Sequence, residues 1–366
     1  MQKKVSVLMS FSGAGGVERM VMNLVRAFAE KCEQVDLLVI RDKGPHFADI
    51  PKNVNIIKLN ANHTLTAIPA ICRYLKAEKP ESLLVAKDRA GRAAVIARAL
   101  SGVSTKIYVR LGTNLSTALE HRSAISAWWR KAPMKVIYRR VDKVIAVSRG
   151  VAEDTIAITG IPEEKVCVIR NPVVTEEFLR KAEEPTPHEW LSEKQYPVII
   201  GVGRLSVQKD FETLIKAFNE VNKSTPCRLI ILGEGGKRQE LEALIASFGL
   251  QDHVLLPGFQ SNPMSWVKAA NVFVLSSRWE GSPNALTEAL ALGVPSVSTR
   301  CPSGPDETLA EGKFGPLVEM GDFTNMARQI LRVLENPLTS EVLKSAVAEY
   351  HVSISADKYL DLMKGS

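Results

Sequence analysis

The stretch Ser276-Ser-Arg-Trp-Glu280-Gly-Ser-Pro-Asn-Ala-Leu-Thr-Glu288-Ala-Leu-Ala-Leu-Gly293-Val-Pro295 carries the strongest structural signal in this chain of 366 residues. It follows the apolar run Val272–Leu275, which predicts a buried strand. Within it, Ser282 suits the N-cap of a helix, Pro283 the first helical position and Gly293 the residue just past the end. The sequence therefore predicts a strand followed by a helix whose free N–H groups form an anion site at the carboxyl end of that strand.

Outward from this stretch, short apolar runs alternate with helix-like segments along almost the whole chain. The predicted strands lie at 5–9, 35–40, 83–86, 106–109 and 144–147, and then at 198–202, 229–232, 254–256, 272–275 and 296–298. The predicted helices lie at 18–30, 68–78 and 91–100, and then at 211–221, 237–247 and 283–292. Strands that are apolar on both faces and separated by helices predict parallel sheets covered on both sides. We therefore expect an α/β protein of two doubly wound, Rossmann-like domains facing a central cleft, which is the default ligand site.

A break in this alternation divides the chain. Residues 179–197 hold three prolines and many charges without an apolar period, a composition typical of a linker. We expect an N-terminal domain over 1–178 and a C-terminal domain over 198–345. The remaining residues, 346–366, are expected to form a helical segment that could cross back to the N-terminal domain.

Composition and cysteine usage exclude several classes of protein. Hydrophobic residues make up 45% and charged residues 24% of the chain, the balance of an ordinary globular protein. Five scattered cysteines without a CxxC pair, and six histidines without an HxxxH spacing, argue against a disulfide framework and a structural zinc site. No apolar run approaches the ~18 residues of a membrane span. The short apolar run near Met1 fits a first strand better than a signal peptide. The cysteine usage favours a protein of the reducing cytoplasm.

The charge is distributed unevenly along the chain. Residues 1–175 hold 28 Lys and Arg against 15 Asp and Glu, a net charge of +13, whereas residues 176–366 have a net charge of −6. This asymmetry predicts that the N-terminal half faces an anionic partner. Charge alone does not choose among nucleic acid, an acidic membrane surface and a phosphorylated substrate.

Two carboxylates in the opening stretch have a spacing found in one enzyme family. Glu280 and Glu288 are separated by seven residues, and with the predicted strand, loop and helix around them they resemble the E-x7-E motif of retaining glycosyltransferases of family 4. The following Cys301-Pro-Ser-Gly-Pro-Asp-Glu307 resembles a segment of that family's bacterial envelope-polysaccharide branch. The resemblance covers nearly the whole chain, is strongest over 198–320, and implies the GT-B fold and a nucleotide-sugar donor.

A second segment resembles the family's donor site. Gly201-Val-Gly-Arg204-Leu-Ser-Val-Gln-Lys209 is similar to its G-R-L…K segment, whose arginine and lysine hold the donor diphosphate. On physical grounds, two cations just after a strand can neutralise a leaving diphosphate without a metal. The resemblance implies that Glu280 holds sugar hydroxyls and acts in catalysis with Arg204 and Lys209, while Glu288 holds the ribose. The other donor-binding residues that it implies are Gly15, Gly16, Gly203, Gly233, Gly258, Phe259, Gly281, Ser282, Pro283, Asn284 and Ala285.

The first loop of the chain is similar to the same family. Gly13-Ala-Gly15-Gly16-Val-Glu18-Arg19 resembles its G-G-x-E-R segment, and Glu18 stands where a dinucleotide-binding G-x-G-x-x-G would need its last glycine. The sequence holds no G-x-x-x-x-G-K-[ST], which excludes a P-loop NTPase, and no DxD pair, which argues against a metal-dependent GT-A enzyme. We therefore expect no metal and no cofactor, since the nucleotide sugar is a substrate.

The chain departs from the family at the end of one strand. Many relatives place a histidine after this N-terminal strand, facing the reaction centre, but here the strand continues as Val109-Arg110-Leu-Gly-Thr-Asn114. Arg110 or Asn114 can fill that space, or His121 can reach it from the next helix, although a surface or packing role for His121 stays open. These three residues are the candidates on the acceptor side.

A basic segment with aromatic residues is a candidate surface for anions. Residues 122–143 hold seven Lys and Arg against one acid, with tryptophans and a tyrosine interleaved. This composition is typical of an interfacial membrane-binding region, and a solvated helix pair packed on its domain has it too. No nucleic-acid-binding motif accompanies it, so no nucleic-acid partner is expected. The candidate membrane residues are Trp128, Trp129, Arg130, Lys131, Lys135, Arg139 and Arg140.

Together these features predict a retaining, metal-independent glycosyltransferase. The resemblance implies transfer of a hexose or N-acetylhexosamine from a UDP-sugar to a growing, lipid-linked glycan of the cell envelope. The N-terminal domain would bind the acceptor and the C-terminal domain the donor, with the protein lying peripherally on the cytoplasmic face of an anionic membrane. Two alternatives stay open: another GT-B enzyme such as a nucleotide-sugar 2-epimerase, and a non-enzymatic polyanion-binding protein on a degenerate scaffold.

Overall fold

The computed structural model describes residues 2–13, 15–43, 50–116, 134–186 and 188–364. The chain divides into two compact units. Unit 1 comprises Met1–Pro172 and His351–Ser366, and unit 2 comprises Val173–Tyr350. The segment 179–197, expected from its composition to be a linker, lies within unit 2, and the end of the chain belongs to unit 1.

Unit 1 is built on a parallel sheet. Its strands are β1 (Gln2–Ser12), β2 (Cys32–Lys43), β3 (Val54–Lys58), β4 (Ser82–Ala86), β5 (Lys106–Leu111), β6 (Lys143–Ala146) and β7 (Val166–Val168). They lie in the order β3-β2-β1-β4-β5-β6-β7, and every pair of neighbours is parallel. The helices that connect them include α1 (Gly16–Lys31), α2 (Ile68–Glu78), α3 (Asp88–Ser101) and α4 (Arg149–Thr159).

Both faces of this sheet are buried, as the apolar strands predicted. Val7 and Met9 of β1 enter a core with the apolar side of α1, whereas Leu8 between them enters a second core with residues of α2 and α3. Successive side chains of a strand point to opposite faces, so one strand supplies both cores. The doubly wound arrangement of unit 1 is therefore confirmed.

Unit 2 repeats this architecture with a second parallel sheet. Its strands are β8 (Val198–Val202), β9 (Arg228–Leu232), β10 (Val254–Gly258), β11 (Val272–Leu275), β12 (Ser296–Thr299) and β13 (Leu317–Val318). They lie in the order β10-β9-β8-β11-β12-β13, again with parallel neighbours throughout. Its helices are α5 (Glu176–Ala182), α6 (Glu189–Ser192), α7 (Phe211–Ser224), α8 (Arg238–Ser247), α9 (Met264–Ala269), α10 (Asn284–Ala291), α11 (Pro305–Thr308), α12 (Phe323–Glu335) and α13 (Ser340–Ser345).

The last helix, α14 (Val352–Lys364), belongs to unit 1 although it follows all of unit 2 in the chain. The Tyr359 ring meets the edge of the Phe28 ring on α1 at a centroid distance of 6.4 Å. Asp357 pairs with Lys31 at 2.6 Å. Tyr359 and its neighbours on α14 are part of the core beneath α1, so this helix completes unit 1.

Candidate active site

The sheet of unit 2 has a topological switch point between β8 and β11. From β8 the chain moves outward to β9 and β10, and from β11 it moves outward on the other side to β12 and β13. The loops after β8 and β11 therefore leave in opposite directions, and this leaves a crevice at the carboxyl ends of the two strands. Ligands of open α/β sheets bind in such crevices.

Hydrogen bonds tie these two loops together. Gln208 donates from Nε2 to the carbonyl of Trp279 at 2.9 Å, and the N–H of Arg278 donates to the carbonyl of Gln208 at 2.8 Å. The buried Ser276 hydroxyl donates to the carbonyl of Lys209 at 2.7 Å. The loops hold each other in place, so the side chains that they carry are positioned before any ligand arrives.

Lys209 and Glu280 form an ion pair at the centre of this junction. Lys209 Nζ lies 2.6 Å from Glu280 Oε1, and the Ser277 hydroxyl donates to the same oxygen at 2.7 Å. The two charged side chains keep only 18% and 8% of their surface exposed. Because both contacts use Oε1, and none of the described residues donates to Oε2, the second carboxylate oxygen keeps its hydrogen-bonding capacity for a ligand.

The next residue, Asp210, forms a second ion pair across the junction. Its buried carboxylate lies 3.0 Å from Arg278 Nε and accepts a hydrogen bond from the Thr213 hydroxyl at 3.0 Å. Asp210 adopts a φ of 45°, a left-handed conformation that is uncommon for a residue other than glycine. Neither Ser277 nor Asp210 was predicted from the sequence. The available signal was their position, since Ser277 follows the buried strand β11 by two residues and Asp210 adjoins Lys209.

The loop that holds Cys301 is hydrogen-bonded to the loop that carries Glu280. The Glu280 N–H donates to the carbonyl of Pro302 at 3.1 Å. A Cβ on Gly304, which has a φ of 109°, would lie 2.5 Å from Pro283 Cδ, so only glycine permits this close approach. Burial, and after it the negative charge of Glu280, raise the pKa of Cys301 to about 12.

The helix after Glu280 begins one residue later than predicted. Pro283, with a ψ of 83°, is the N-cap rather than the first helical residue, because its carbonyl accepts the first hydrogen bond of the helix, from Thr287. Ser282 is therefore not the N-cap, and its hydroxyl is buried without a hydrogen bond among the described residues. Asn284 and Ala285 are the first two residues of α10.

The end of α10 agrees with the prediction. Gly293 has a φ of 74°, its N–H donates to Leu290, and the N–H of Val294 donates to Ala289. These two bonds form a Schellman motif, which satisfies carbonyls that the helix end leaves open. Glu288 is the fifth residue of α10, and its exposed fraction is 6%.

Three glycine-containing loops cluster at the same edge of the unit 2 sheet. The Gly203 N–H donates to Leu232, and the Gly233 N–H donates to Gly258, each at 2.9 Å. A Cβ on Gly233 would lie 1.9 Å from the carbonyl oxygen of Gly203, and the aliphatic stem of Lys209 lies across Gly203. The predicted donor residues Gly203, Gly233 and Gly258 thus come together, and beside them Arg204 and Phe259 are exposed.

Two family models match this chain. The model described as Glycosyltransferase Family 4 matches residues 14–177, and the model described as Glycosyl transferases group 1 matches residues 183–350. The first match lies almost entirely in unit 1 and the second entirely in unit 2. The chain belongs to glycosyltransferase family 4.

Individual relatives of this glycosyltransferase align along almost its whole length. It is 28% identical over 354 residues to N-acetylgalactosamine-N,N'-diacetylbacillosaminyl-diphospho-undecaprenol 4-alpha-N-acetylgalactosaminyltransferase of Campylobacter jejuni, covering 94% of this chain and 93% of the relative. It is 26% identical to the lipopolysaccharide core biosynthesis glycosyltransferase LpsE of Rhizobium meliloti, covering 96% and 97%. The structure of Anabaena HepE in complex with UDP superposes with a TM-score of 0.77 at 19% identity, covering 99% and 100%. The predicted GT-B fold is confirmed.

The family also decides between the functions that the sequence left open. A glycosyltransferase is an enzyme, so a non-enzymatic polyanion-binding protein is not favoured, and neither is an epimerase. The described residues hold no group of three His, Cys, Asp or Glu side chains that could bind a metal ion.

In unit 1 of the glycosyltransferase, the predicted loop residues lie at the start of α1. Gly15 is the N-cap and Gly16 the first helical residue. Among the described residues, a Cβ on Gly13 or Gly15 would meet no atom within 4 Å, so packing against them does not require glycine at either position. With respect to these residues, the start of the helix is open.

The candidates on the acceptor side lie in different environments. Arg110 is only 1% exposed, and its guanidinium donates to Asn171 Oδ1 at 2.5 Å while Nε makes no hydrogen bond within the described residues. Asn114 is half-buried in the loop after β5. His121 lies outside the described residues. The sequence pattern did not indicate that Arg110 would be buried, because strand residues at a carboxyl end are often exposed.

The basic segment is described only in part. Residues 117–133, which include Trp128, Trp129, Arg130 and Lys131, lie outside the described residues. Residues 134–138 are helical, and Lys135, Arg139 and Arg140 are exposed beside Val136, whose exposure is 55%. Among the described helices, none combines the length and the apolar character that crossing a membrane requires.

Proposed function

We infer that this glycosyltransferase transfers a hexose or N-acetylhexosamine, with retention of configuration, from a UDP-sugar to a lipid-linked glycan. The observation that carries this proposal is the Lys209–Glu280 pair at the switch point of unit 2. It places a cation and a carboxylate with one unused oxygen beside the start of a helix. A sugar diphosphate needs that combination, because its phosphates are anionic and its hydroxyls are hydrogen-bond donors.

The donor roles follow from the positions of these groups. Lys209 has N–H groups left beyond the one that contacts Glu280, and the exposed Arg204 has its whole guanidinium to offer. Together with the N–H groups at the start of α10, they would stabilise the charge that develops on the leaving diphosphate. Glu280 Oε2 would accept hydrogen bonds from sugar hydroxyls, and Glu288 from the ribose.

The proposed reaction needs no separate base. The acceptor hydroxyl attacks the anomeric carbon on the face from which the nucleoside diphosphate departs, so the new bond keeps the old configuration. A phosphate oxygen of the leaving group takes the hydroxyl proton. The bond from the anomeric carbon to the phosphate oxygen breaks, and the products are the extended glycan and protonated UDP. Every bond formed or broken is accounted for in these products. Lys209 and Arg204 would stabilise the negative charge that develops on the departing diphosphate.

We propose that this chemistry proceeds without a divalent metal, since the two cations Lys209 and Arg204 take the place that a metal would have. After any bound metal ions have been removed, the enzyme should be equally active in EDTA and in added magnesium. A strict requirement for magnesium or manganese would overturn this account of how the diphosphate is neutralised.

Donor binding and transfer can be tested separately. A thermal-shift screen over UDP-, GDP- and ADP-sugars should give its largest stabilisation with a UDP-sugar, because binding only to the native state raises the melting temperature. Radiolabel from that donor should then pass to the lipid fraction extracted from membranes of the organism that makes the protein. Conversion of the donor sugar without an acceptor would indicate an epimerase instead.

We further propose that the protein lies peripherally on the cytoplasmic face of an anionic membrane, where a lipid-linked acceptor resides. Lys135, Arg139 and Arg140 support this, since each cation near such a surface contributes about 1 kcal/mol. Cosedimentation with vesicles containing phosphatidylglycerol should weaken at high salt and in the triple variant K135Q/R139Q/R140Q. The matched control K52Q/R73Q/K76Q removes three exposed cations elsewhere in unit 1 and should bind as wild type. Equal loss in both variants would mean a general charge effect without a membrane surface.

A further inference from the structure

The sheet of unit 1 has its own switch point, between β1 and β4, and an ion pair lies there. Lys87 follows β4, and its Nζ lies 2.9 Å from Oε1 of Glu18 in the first turn of α1. The same ammonium donates to the carbonyl of Ser10, at the end of β1, at 3.0 Å. Glu18 Oε2 accepts from the N–H of Gly13 at 3.2 Å. The pair therefore joins the ends of two neighbouring strands.

The two partners differ in what they leave for a ligand. Both oxygens of Glu18 accept hydrogen bonds, and the side chain is only 3% exposed. Lys87 is 35% exposed, and of its three N–H groups two are used by Glu18 and Ser10. Within the part of the chain that the structure describes, one donor of Lys87 is thus left, on the solvent side of the pair.

The backbone of Lys87 is strained in a way that a merely structural lysine does not need. Its φ is 76° and its ψ 142°, next to a region that essentially only glycine adopts. Strain of this kind concentrates at ligand-binding and catalytic sites, where the surrounding structure imposes it. Here the N–H of Lys87 is fixed by the carbonyl of Arg110 on β5, at 3.1 Å. The conformation directs a lysine side chain across the strand ends to Glu18.

We propose that Lys87 is an acceptor-binding residue, whose remaining N–H donates to a hydroxyl oxygen of the acceptor's terminal sugar. A hydroxyl fits better than a phosphate, because Glu18 has already neutralised the ammonium and its carboxylate repels a second anion nearby. Glu18 is a positioning residue, since it acts only by holding the ammonium and the Gly13 loop. The inference rests on the proposed acceptor role of unit 1 and adds the group that contacts the sugar.

Steady-state transfer to the extracted lipid-linked glycans tests this assignment, with UDP affinity measured separately by calorimetry. K87M should raise the acceptor KM at least about tenfold, the cost of one hydrogen bond from a charged donor. K87R should recover most of that loss, because arginine still donates. UDP affinity should not change in either variant. The control K79M removes another exposed lysine with a positive φ, at the end of α2, and should behave as wild type.

One further variant, E18Q/K87M, and a competition experiment keep the result interpretable. Because K87M leaves a buried carboxylate unpaired, E18Q/K87M restores a neutral pair and should show the same raised acceptor KM in a stably folded protein. A sugar-free polyprenyl diphosphate should compete equally well against wild type and K87M, whereas an octyl glycoside should compete less well against K87M. The proposal is overturned if both variants match K79M, or if only the diphosphate loses affinity. Absence of any transfer by the wild type would instead contradict the proposed function.

Discussion

The switch points of the two units share a topology but present charge in opposite order. In unit 1 the glutamate follows the first strand, on α1, and the lysine follows β4; in unit 2 the lysine follows the first strand, β8, and the glutamate follows β11. The Nζ–Oε1 distances are 2.9 Å for Lys87–Glu18 and 2.6 Å for Lys209–Glu280. The same sheet order thus brings a lysine and a glutamate together twice.

The difference lies in which partner has capacity left. Glu280 keeps one carboxylate oxygen and Lys209 keeps N–H groups, so unit 2 offers both charges to a ligand. Both oxygens of Glu18 already accept a hydrogen bond, from Lys87 and from Gly13, so in unit 1 the lysine is the partner with a donor left for a ligand. The sheet topology sets where each site lies. Whether the second hydrogen bond of the glutamate goes to the same oxygen or to the other one decides whether an oxygen is left for a ligand.

The largest expected effect separates the two lysines. K209A and R204A should each lower kcat at least about a hundredfold, because an oriented charge on a leaving group supplies about 3 kcal/mol. K87M should leave kcat at saturating acceptor nearly unchanged and should act on KM alone. Initial rates measured with both substrates varied give this split. An equal loss of kcat in K87M and K209A would mean that both pairs act on the leaving group, and the comparison would break.

A smaller effect separates the two glutamates of unit 2. E288A should weaken UDP binding roughly two- to 150-fold, since a hydrogen bond contributes about 0.5–3 kcal/mol, with the upper values for a charged acceptor. E280A should depress turnover more than UDP affinity. Calorimetric titration with UDP measures this, and E335A, at an exposed position of the same unit, serves as the control. Unchanged UDP affinity in E288A would make the ribose assignment wrong.

Acid should act on unit 1 through a buried network at the amino end of its sheet. Burial by itself would raise the pKa of Asp36, but hydrogen bonds from Lys4, Tyr74 and Asn55 outweigh it and hold the pKa below its usual value. The stabilisation is therefore present above about pH 4, the value of an unfolded aspartate, and is lost as the pH falls through the lower folded value.

The variant D36N sharpens this point by removing the titrating group. It should lower the free energy of unfolding of unit 1 by about 1.5–3 kcal/mol at neutral pH. Scanning calorimetry should show the wild-type and D36N transitions approaching each other as the pH is lowered past about 4. A constant difference down to pH 2 would show that Asp36 does not stay ionised through its hydrogen bonds.

The smallest expected effect concerns the thiol of Cys301, which lies near the unit 2 pair. Because the pKa of Cys301 is raised to about 12, only about one thiol in ten thousand is ionised at pH 8, and the thiolate is the reactive form. Iodoacetamide should leave Cys301 unmodified in the native enzyme while the half-buried Cys72 reacts faster. Peptide mass spectrometry reads both sites. Rapid labelling of Cys301 would mean that the loop that holds it opens in solution.

The sequence predicted those strands whose own side chains form a continuous apolar run. The fully buried β4 was predicted over 83–86 and is observed over Ser82–Ala86. The strands β3, β7 and β13 were not predicted. β3 is half-exposed and has no continuous apolar run, and β7 and β13 have only three and two residues. Edge strands of this kind are held by pairing with a neighbour, which a local pattern does not reveal.

The sequence predicted which residues belong to the site but not which of them are in contact. Lys209 and Glu280 were both identified, yet their ion pair joins residues 71 positions apart and depends on the neighbouring of β8 and β11. Ser282 was misassigned as the N-cap, because cap preference is a statistical property, whereas the helix starts after Pro283, which packs closely against Gly304. Lys87 was not predicted as a site residue, because nothing in the local sequence indicates that this lysine adopts an unusual backbone conformation.

The return of α14 to unit 1 sets the order in which the protein can mature during synthesis. Tyr359, Leu360 and Met363 belong to the core beneath α1, and the ribosome makes them only after all of unit 2. Translation from Pro172 to α14 takes roughly 10–40 s at 5–20 residues per second. For that time unit 1 exposes an uncovered apolar face, while unit 2 can complete its own core first. The nascent chain therefore needs protection at its beginning until its end emerges, and truncations that spare every site residue should still yield aggregates.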